Sequence, residues 1–303
     1  MKKYVSELDN NFSYGYDDLK YNFRTSENSK FNCYYGKAKY APTSFREECI
    51  KICRDISLYA QKNQRIPYVL LSGGLDSEIV VRSFIEADVP FKVIVNRFKD
   101  ELNAHEMEYV NKFLNDKDLD VEFYDLDIIY WLRSPEALQM AEDSACPYSE
   151  MLPTTKLIDL VYFKRNGIPV LGNGDFYSSY IDDQWMYVEF EYILAWIRYC
   201  SKKSIQSAVN FFQLNPEVVL AIGDDALIKS TLAQKEKTTL RSTKYKVYKK
   251  YWPDVEIRTK FNGAEKIQNV CDDLNQTILD QYKIYTSKWM MPVEDFLNQL
   301  RLI

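Results

Sequence analysis

Two short stretches of this chain place glycines, hydroxyls and a carboxylate directly after an apolar run. The first is Tyr68-Val-Leu-Leu-Ser72-Gly73-Gly74-Leu75-Asp76-Ser77-Glu78. Its apolar residues read as a strand, and the segment after the loop, with Ile79, Val80, Val81, Phe84 and Ile85, reads as a helix. Gly73 and Gly74 let the backbone turn sharply and bring N–H groups close to a ligand. The N-terminus of the following helix adds unpaired N–H groups and a partial positive charge. With the hydroxyls of Ser72 and Ser77 these make a cradle for an anion with several oxygens, most simply a phosphate chain. Asp76 would repel such an anion unless a cation lay between them, which assigns it to Mg²⁺. The plainer alternative is a strand-to-helix turn in which Asp76 or Ser77 caps the helix. Chance is a weak explanation: five fixed positions at ~6% each turn up in roughly one in a few thousand chains of this length. No Gly-x4-Gly-Lys-Ser/Thr occurs, so no loop lysine of that type reaches the terminal phosphates.

The second stretch, Ile168-Pro-Val-Leu-Gly172-Asn173-Gly174-Asp175-Phe176, repeats the logic of apolar strand, two glycines and one carboxylate. The chain has only 9 glycines, and Gly73, Gly74, Gly172 and Gly174 fall in these two stretches. That concentration implies close backbone approach at two strand ends, and makes Asp175 the second Mg²⁺ ligand; an ordinary turn is again the alternative. Late in the chain, Arg258 and Lys260 alternate on a segment that breaks the helical pattern, so on an extended backbone both point the same way. As a pair of surface charges they would do nothing.

The elements that must position these groups alternate. A helix over 44–62 precedes the first strand, with Cys49 and Cys53 on its apolar face. A strand over 91–95, a helix over 102–115, a strand over 121–126 and a helix over 154–166, closed by Gly167, come between the two stretches. Strand–helix alternation predicts an α/β fold, a doubly wound parallel sheet, with ligands beyond the carboxyl ends of the strands. The loop 72–77 and the residues after Val95 then share one rim. Residues 1–43 form an aromatic-rich segment of short strands and turns packed on the main domain. Residues 44–180 form the α/β domain. Residues 181–303 read as mainly helical, over 185–199, 204–212, 216–233 and in the closing 264–303, with a turn or cap at Gly223-Asp-Asp225 and core anchors Trp289, Phe296 and Leu297. The basic run 235–250 divides evenly between a solvated helix face and a binding surface.

Composition narrows the function classes. The chain has 303 residues, 46% hydrophobic and 27% charged, with net charge −5. A basic surface is the usual footprint of nucleic-acid binding, so nucleic acid is not the expected partner. The 6 cysteines are scattered without Cys-x-x-Cys and His105 is the one histidine, which argues against zinc and against a Ser-His-Asp triad. No apolar run has the length of a membrane span and no signal core follows Met1. The expectation is a soluble cytoplasmic protein with free thiols.

Ser72-Gly-Gly-Leu-Asp-Ser77 resembles the PP-loop of the ATP pyrophosphatases, enzymes of HUP-like α/β fold that split ATP into AMP and pyrophosphate. Val170-Leu-Gly-Asn-Gly-Asp-Phe-Tyr-Ser-Ser-Tyr180 is similar to the Gly-rich acidic loop of the asparagine synthetase and β-lactam synthetase class. It departs from that pattern at Asn173, where the class has Glu, lacks one residue before Asp175, and has no Glu after it. The resemblance covers roughly residues 45–180. It implies that Leu71 and the neighbourhood of Val95 and Asn96 hold adenine. Ser72, Gly73, Gly74, Leu75 and Ser77, with Gly172 and Gly174, would surround the phosphates. Asp76 and Asp175 would hold Mg²⁺, and Lys260, with Arg258 next, would meet charge on the leaving pyrophosphate. The implied cofactors are ATP and Mg²⁺, and the implied reaction is adenylylation of a small-molecule carboxylate followed by amide formation with ammonia or an amine.

Glutamine-dependent asparagine synthetases carry a glutaminase domain with a Cys after the initiator Met. Here position 2 is Lys and the segment ahead of the loop is too short for that domain. The nitrogen is therefore expected from free ammonia, a substrate amine or a separate glutaminase subunit. Two alternatives stand beside the ligase: a catalytically degenerate ATP- or AMP-binding protein, which Asn173 would suit, and a PP-loop enzyme modifying a nucleotide or nucleic acid through the basic run.

Overall fold

The computed structural model describes Leu8, residues 11–20, Ser26, and residues 28–234, 240–258, 264–281 and 286–301. Phe12–Tyr16 (β1), Leu19–Lys20 (β2) and Phe31–Tyr35 (β3) form a small antiparallel sheet in the order β2-β1-β3. All five residues of β1 are buried. The Tyr35 ring meets Phe296 at 4.9 Å, and Ala38 N–H donates to the Leu300 carbonyl at 2.7 Å, so this sheet is sewn to the far end of the chain.

Phe45–Lys62 (α1) starts at Ser44, whose hydroxyl and the Glu47 carboxylate close a reciprocal capping box. Cys49 and Cys53 lie on its buried face beside Ile52 and Ile56, and burial pushes both thiols well above their ordinary range. They are core residues, as their spacing predicts.

Next come Ile66–Leu70 (β4), Leu75–Ala87 (α2), Lys92–Phe98 (β5), Ala104–Leu114 (α3), Val121–Leu126 (β6), Ile128–Leu132 (α4), Pro135–Ser144 (α5), Leu152–Lys164 (α6) and Gly167–Val170 (β7). The four strands form an all-parallel sheet in the order β6-β5-β4-β7. Alternate residues feed two apolar layers. Val69, Val93, Val95 and Val170 join the layer of α1, α2 and α3, while Tyr68, Leu70 and Ile94 join that of α4, α5 and α6. Strands apolar on both sides are what a covered parallel sheet requires. All four strands predicted from sequence are present, and the molecule is mixed α/β. Gly167 does not close α6 as expected. It opens β7, where a Cβ would come within 2.5 Å of the Tyr68 ring, and Asn166 takes the left-handed turn instead (φ 51°).

The expectation of an almost wholly helical remainder is corrected at three places. Residues 185–199 do not form one helix. Ser178–Ile181 (β8) and Gln184–Phe190 (β9) pair as a hairpin across Asp182 and Asp183, both with positive φ (49° and 61°). Two left-handed residues match the twist of paired strands, and Trp185, Tyr187 and Val188 suit a pleated, half-buried surface. Only then does Ala195–Lys203 (α7) begin. Residues 204–212 are not helical either: they run beside β7, with Ala208 N–H donating to the Pro169 carbonyl at 2.8 Å and Leu171 N–H to the Ala208 carbonyl at 3.1 Å. After Pro216–Gly223 (α8), Ala226–Leu232 (α9), Arg241–Tyr251 (α10) and Gln268–Gln281 (α11), the chain adds Lys288–Pro292 (β10) to the edge of β9 before Val293–Leu300 (α12). Trp289 is therefore on a strand, while Phe296 and Leu297 are the buried anchors of α12. The 223–225 turn is as predicted, with Asp225 capping α9. Among the described residues no helix is long and apolar enough to cross a membrane.

Candidate functional site

The strand order reverses between β4 and β7. From β4 the chain moves outward through β5 to β6, and β7 returns on the other side of β4. In a parallel sheet this opens a crevice at the carboxyl ends of the two adjacent strands. The two glycine loops are the segments that leave those ends, and they touch. A Cβ on Gly172 would lie 2.8 Å from the Asp76 carbonyl oxygen and 3.0 Å from Ser77 N, so only glycine lets the backbones meet. A Cβ on Gly73 would lie 2.7 Å from Glu106 Cα at the start of α3. The expectation of close backbone approach at these strand ends is met.

Gly74 caps α2 without a side chain, which leaves the first-turn N–H groups uncovered by any cap. Ser77 is buried, and its hydroxyl accepts from Ser72 N–H at 3.1 Å and lies within hydrogen-bond reach of the Ser72 and Gly74 carbonyls. Its work is to hold the loop's shape. Ser72 is exposed, its Oγ accepting from Gly74 N–H at 3.2 Å.

The carboxylates of Asp76 and Asp175 converge on Lys244. Its Nζ donates to Asp76 Oδ1 at 2.8 Å and to Asp175 Oδ2 at 2.6 Å, and Tyr248 Oη donates to the same Asp76 oxygen at 2.7 Å. The Lys244 side chain is 3% exposed. Burial alone would push its pKa down, but Asp175 and Asp76 outweigh that and hold it above the ordinary lysine range. Lys244 belongs to the basic run 235–250, and its burial overturns the solvated-face reading for this residue. The neighbouring Arg241, Lys246, Lys249 and Lys250 are exposed. The signal was available: Lys244 shares a face with Thr243, Val247 and Tyr248, at helical spacing, all of them buried.

Arg258 reaches the first loop as well. Its Nε donates to the Gly73 carbonyl at 2.7 Å and its Nη2 to Glu78 Oε2 at 2.8 Å, while Glu78 also pairs with Arg82 at 2.7 Å. The guanidinium lies 4.8 Å from the centre of the Tyr109 ring. Its charge is committed to the loop and the first turn of α2, a clamp that the alternation argument alone did not foresee. Lys260 lies outside the described residues.

One cleft of about 490 Å³ joins these parts. Leu71, Ser72, Gly73, Gly74, Leu75, Asp76 and Ser77 line it with Val95, Asn96, Gly172, Asp175 and Arg258. Gly174 does not; it turns beneath the loop with φ 80° against Gln213. Asn96 is fixed by donating from Nδ2 to the Pro153 carbonyl at 3.1 Å and by accepting at its own carbonyl from Asn103 at 3.0 Å. Glu106, unnoticed in the sequence, also lines the cleft, and burial pushes its carboxyl up. Among the described residues no group of three or more His, Cys, Asp or Glu is placed to hold a metal ion. Asp76 and Asp175 already share one cation, which suits an ion whose other ligands are phosphate oxygens and water.

No family model matches the sequence, and no curated protein matches it.

Proposed function

We propose that this chain is a Mg²⁺- and ATP-dependent ligase with the doubly wound PP-loop fold of the asparagine synthetase class. It would adenylylate a small-molecule carboxylate and pass the acyl group to ammonia or an amine. The observation that carries this reading is the convergence of Asp76 and Asp175, from glycine loops on adjacent parallel strands, on one cation. Two carboxylates are what a protein ordinarily contributes to a Mg²⁺–phosphate complex, so the residues present fit that ion. When bound there, Mg²⁺ supplies neutralising charge at the phosphates.

The chain's own residues do the rest. The uncapped first turn of α2, the backbone of Gly73 and Gly74 and the Ser72 hydroxyl take the phosphates. Leu71, Val95 and Asn96 wall the adenine. Arg258 holds the Gly73 carbonyl in place, and Lys244 supplies positive charge where pyrophosphate departs. A substrate carboxylate oxygen attacks the α-phosphorus, forming an acyl-adenylate and releasing pyrophosphate. The amine nitrogen then attacks the acyl carbon, AMP leaves, and the nitrogen loses a proton. Positioning in the cleft supplies much of the rate. Buried free thiols suit a cytoplasmic setting.

A second reading, an ATP- or AMP-binding protein without ligase activity, draws on Asn173 and on the lysine already seated between the two carboxylates. ³¹P NMR of the protein with Mg²⁺-ATP and a pool of carboxylic acids and amines separates the two. Under the ligase reading AMP and pyrophosphate appear only with an acceptor and vanish in Asp76→Ala. ADP and phosphate would refute adenylylation, and bound but intact ATP across the pool would favour the second reading.

A further inference from the structure

A second part of the same cleft is walled by residues that the phosphate loops do not supply. Tyr148, Glu150 and Met151 come from the loop before α6, Tyr192 and Trp196 from the turn into α7 and its start, and Ile267 from the approach to α11. The rings of Tyr148 and Tyr192 stand 4.9 Å apart at 86°, forming a corner. The loop that carries Glu150 is held rigidly. Ser149 N–H donates to Asn275 Oδ1 at 2.6 Å, Ser149 Oγ donates to the Cys271 carbonyl at 3.2 Å, and the Met151 carbonyl accepts from Trp196 Nε1 at 3.4 Å.

Glu150 is half-buried and lines the same cleft as these rings. Among the described residues its single hydrogen bond is a long one, 3.4 Å from Asn275 Nδ2, and no Lys or Arg pairs with it. Arg258 is the one basic residue lining the cleft among the described residues, and it is spent on Gly73 and Glu78. A partly buried carboxylate costs free energy unless a hydrogen-bond donor or a positive charge meets it. Among the described residues no group of three or more acids, histidines or cysteines is placed here to hold a metal ion. Aromatic faces at right angles attract organic cations through their negative π-clouds.

We infer that this part of the cleft binds the cationic group of an organic substrate, an ammonium or guanidinium on an apolar or aromatic body. Glu150 is its counter-charge, and Tyr148, Tyr192 and Trp196 are its walls. Its role as the acceptor subsite rests on the ligase reading: the acceptor is then an acid that also carries a cation, held by the cation while its carboxylate faces the α-phosphate.

Calorimetric titration of the full chain with 4-(aminomethyl)benzoate, benzylamine and 4-methylbenzoate tests this. The two amines should bind, and 4-methylbenzoate should bind at least roughly tenfold more weakly. Glu150→Gln should lower affinity for both amines roughly tenfold or more while leaving the unfolding midpoint near that of the parent, and Tyr192→Leu should weaken the amines as well. Equal affinity for 4-methylbenzoate, unchanged amine affinity in Glu150→Gln, or no binding of either amine would overturn the inference. Mg²⁺-ATP is titrated separately. Amine binding without Mg²⁺-ATP binding rejects the ligase reading and keeps the cation site; the reverse rejects the cation site alone.

Discussion

Lys244→Met removes one ammonium and keeps most of the aliphatic volume. The ammonium lies 2.8 Å from one carboxylate and 2.6 Å from the other, so the two facing oxygens are at most about 5.4 Å apart, the sum of the contacts. At an effective dielectric of ~20, unit charges at that separation repel by about 3 kcal/mol. Removing one member of a buried ion cluster costs about 3–5 kcal/mol in general. Asp76 is 20% and Asp175 31% exposed, so water relieves part of the repulsion. The expected loss is about 3 kcal/mol at neutral pH. Urea denaturation followed by tryptophan fluorescence measures it. Added Mg²⁺ replaces the lost cation and should raise the variant's midpoint more than the parent's. A loss indifferent to Mg²⁺ would mean that Lys244 serves packing alone, and the shared-cation argument would fail.

Three other substitutions probe the same construction. Burial pushes the Glu189 carboxyl from its ordinary 4.5 up to about 7, although Tyr187 and Tyr35 donate to it, and Asp175 adds to the rise. A raised acid stabilises the fold fully below its unfolded pKa and loses that contribution as pH climbs through the folded one. Stability should therefore fall by roughly 3 kcal/mol between about pH 4.5 and 7, and Glu189→Gln should flatten that slope in denaturation curves; parallel slopes would refute the assignment. Arg258→Ala frees the Gly73 carbonyl and takes one of two cations from Glu78, so a loss of about 3 kcal/mol and weaker Mg²⁺-ATP binding by calorimetry are expected. Gly172→Ala presses a methyl against the backbone of Asp76 and should cost about 1–3 kcal/mol while spreading the two loops; an unchanged unfolding midpoint would show that the loops do not touch.

The sheet and its two loops were legible because every signal for them is local. An apolar run, a glycine pair and a following helical period specify strand, turn and helix without help from distant residues. The right-hand side of the site was not local. Lys244 sits among six other basic residues in its run, and its inward direction shows only when Thr243, Val247 and Tyr248 are taken as one face. The sequence reads as helix where β9 forms, because Gln184–Phe190 is short and its partners, β8 and β10, lie on either side at very different sequence distances. Strand identity there depends on pairing with residues about a hundred positions away, and composition alone does not carry that. The Glu150 wall stayed hidden for a related reason: its aromatic partners come from separate elements that meet only after folding.

Charge balance explains why α10 must reach into the rim of the sheet. Loops whose backbones touch bring their carboxylates together, and two ionised acids at that distance require a cation. In this structure the cation is covalently part of the chain. Under the ligase reading a Mg²⁺-nucleotide brings its own, and the Lys244 ammonium becomes available to the phosphates. On that reading the helix that stabilises the acidic pair would also carry the charge that a departing pyrophosphate needs. The two roles predict opposite responses. A cation needed only for folding would leave nucleotide affinity in Lys244→Met intact once Mg²⁺ has restored stability. One that also meets phosphate would leave the variant stable in Mg²⁺ yet roughly tenfold or more weaker for Mg²⁺-ATP, the size expected for one charge-assisted hydrogen bond. Calorimetry on the Mg²⁺-stabilised variant distinguishes these outcomes, and intact affinity would confine Lys244 to the fold.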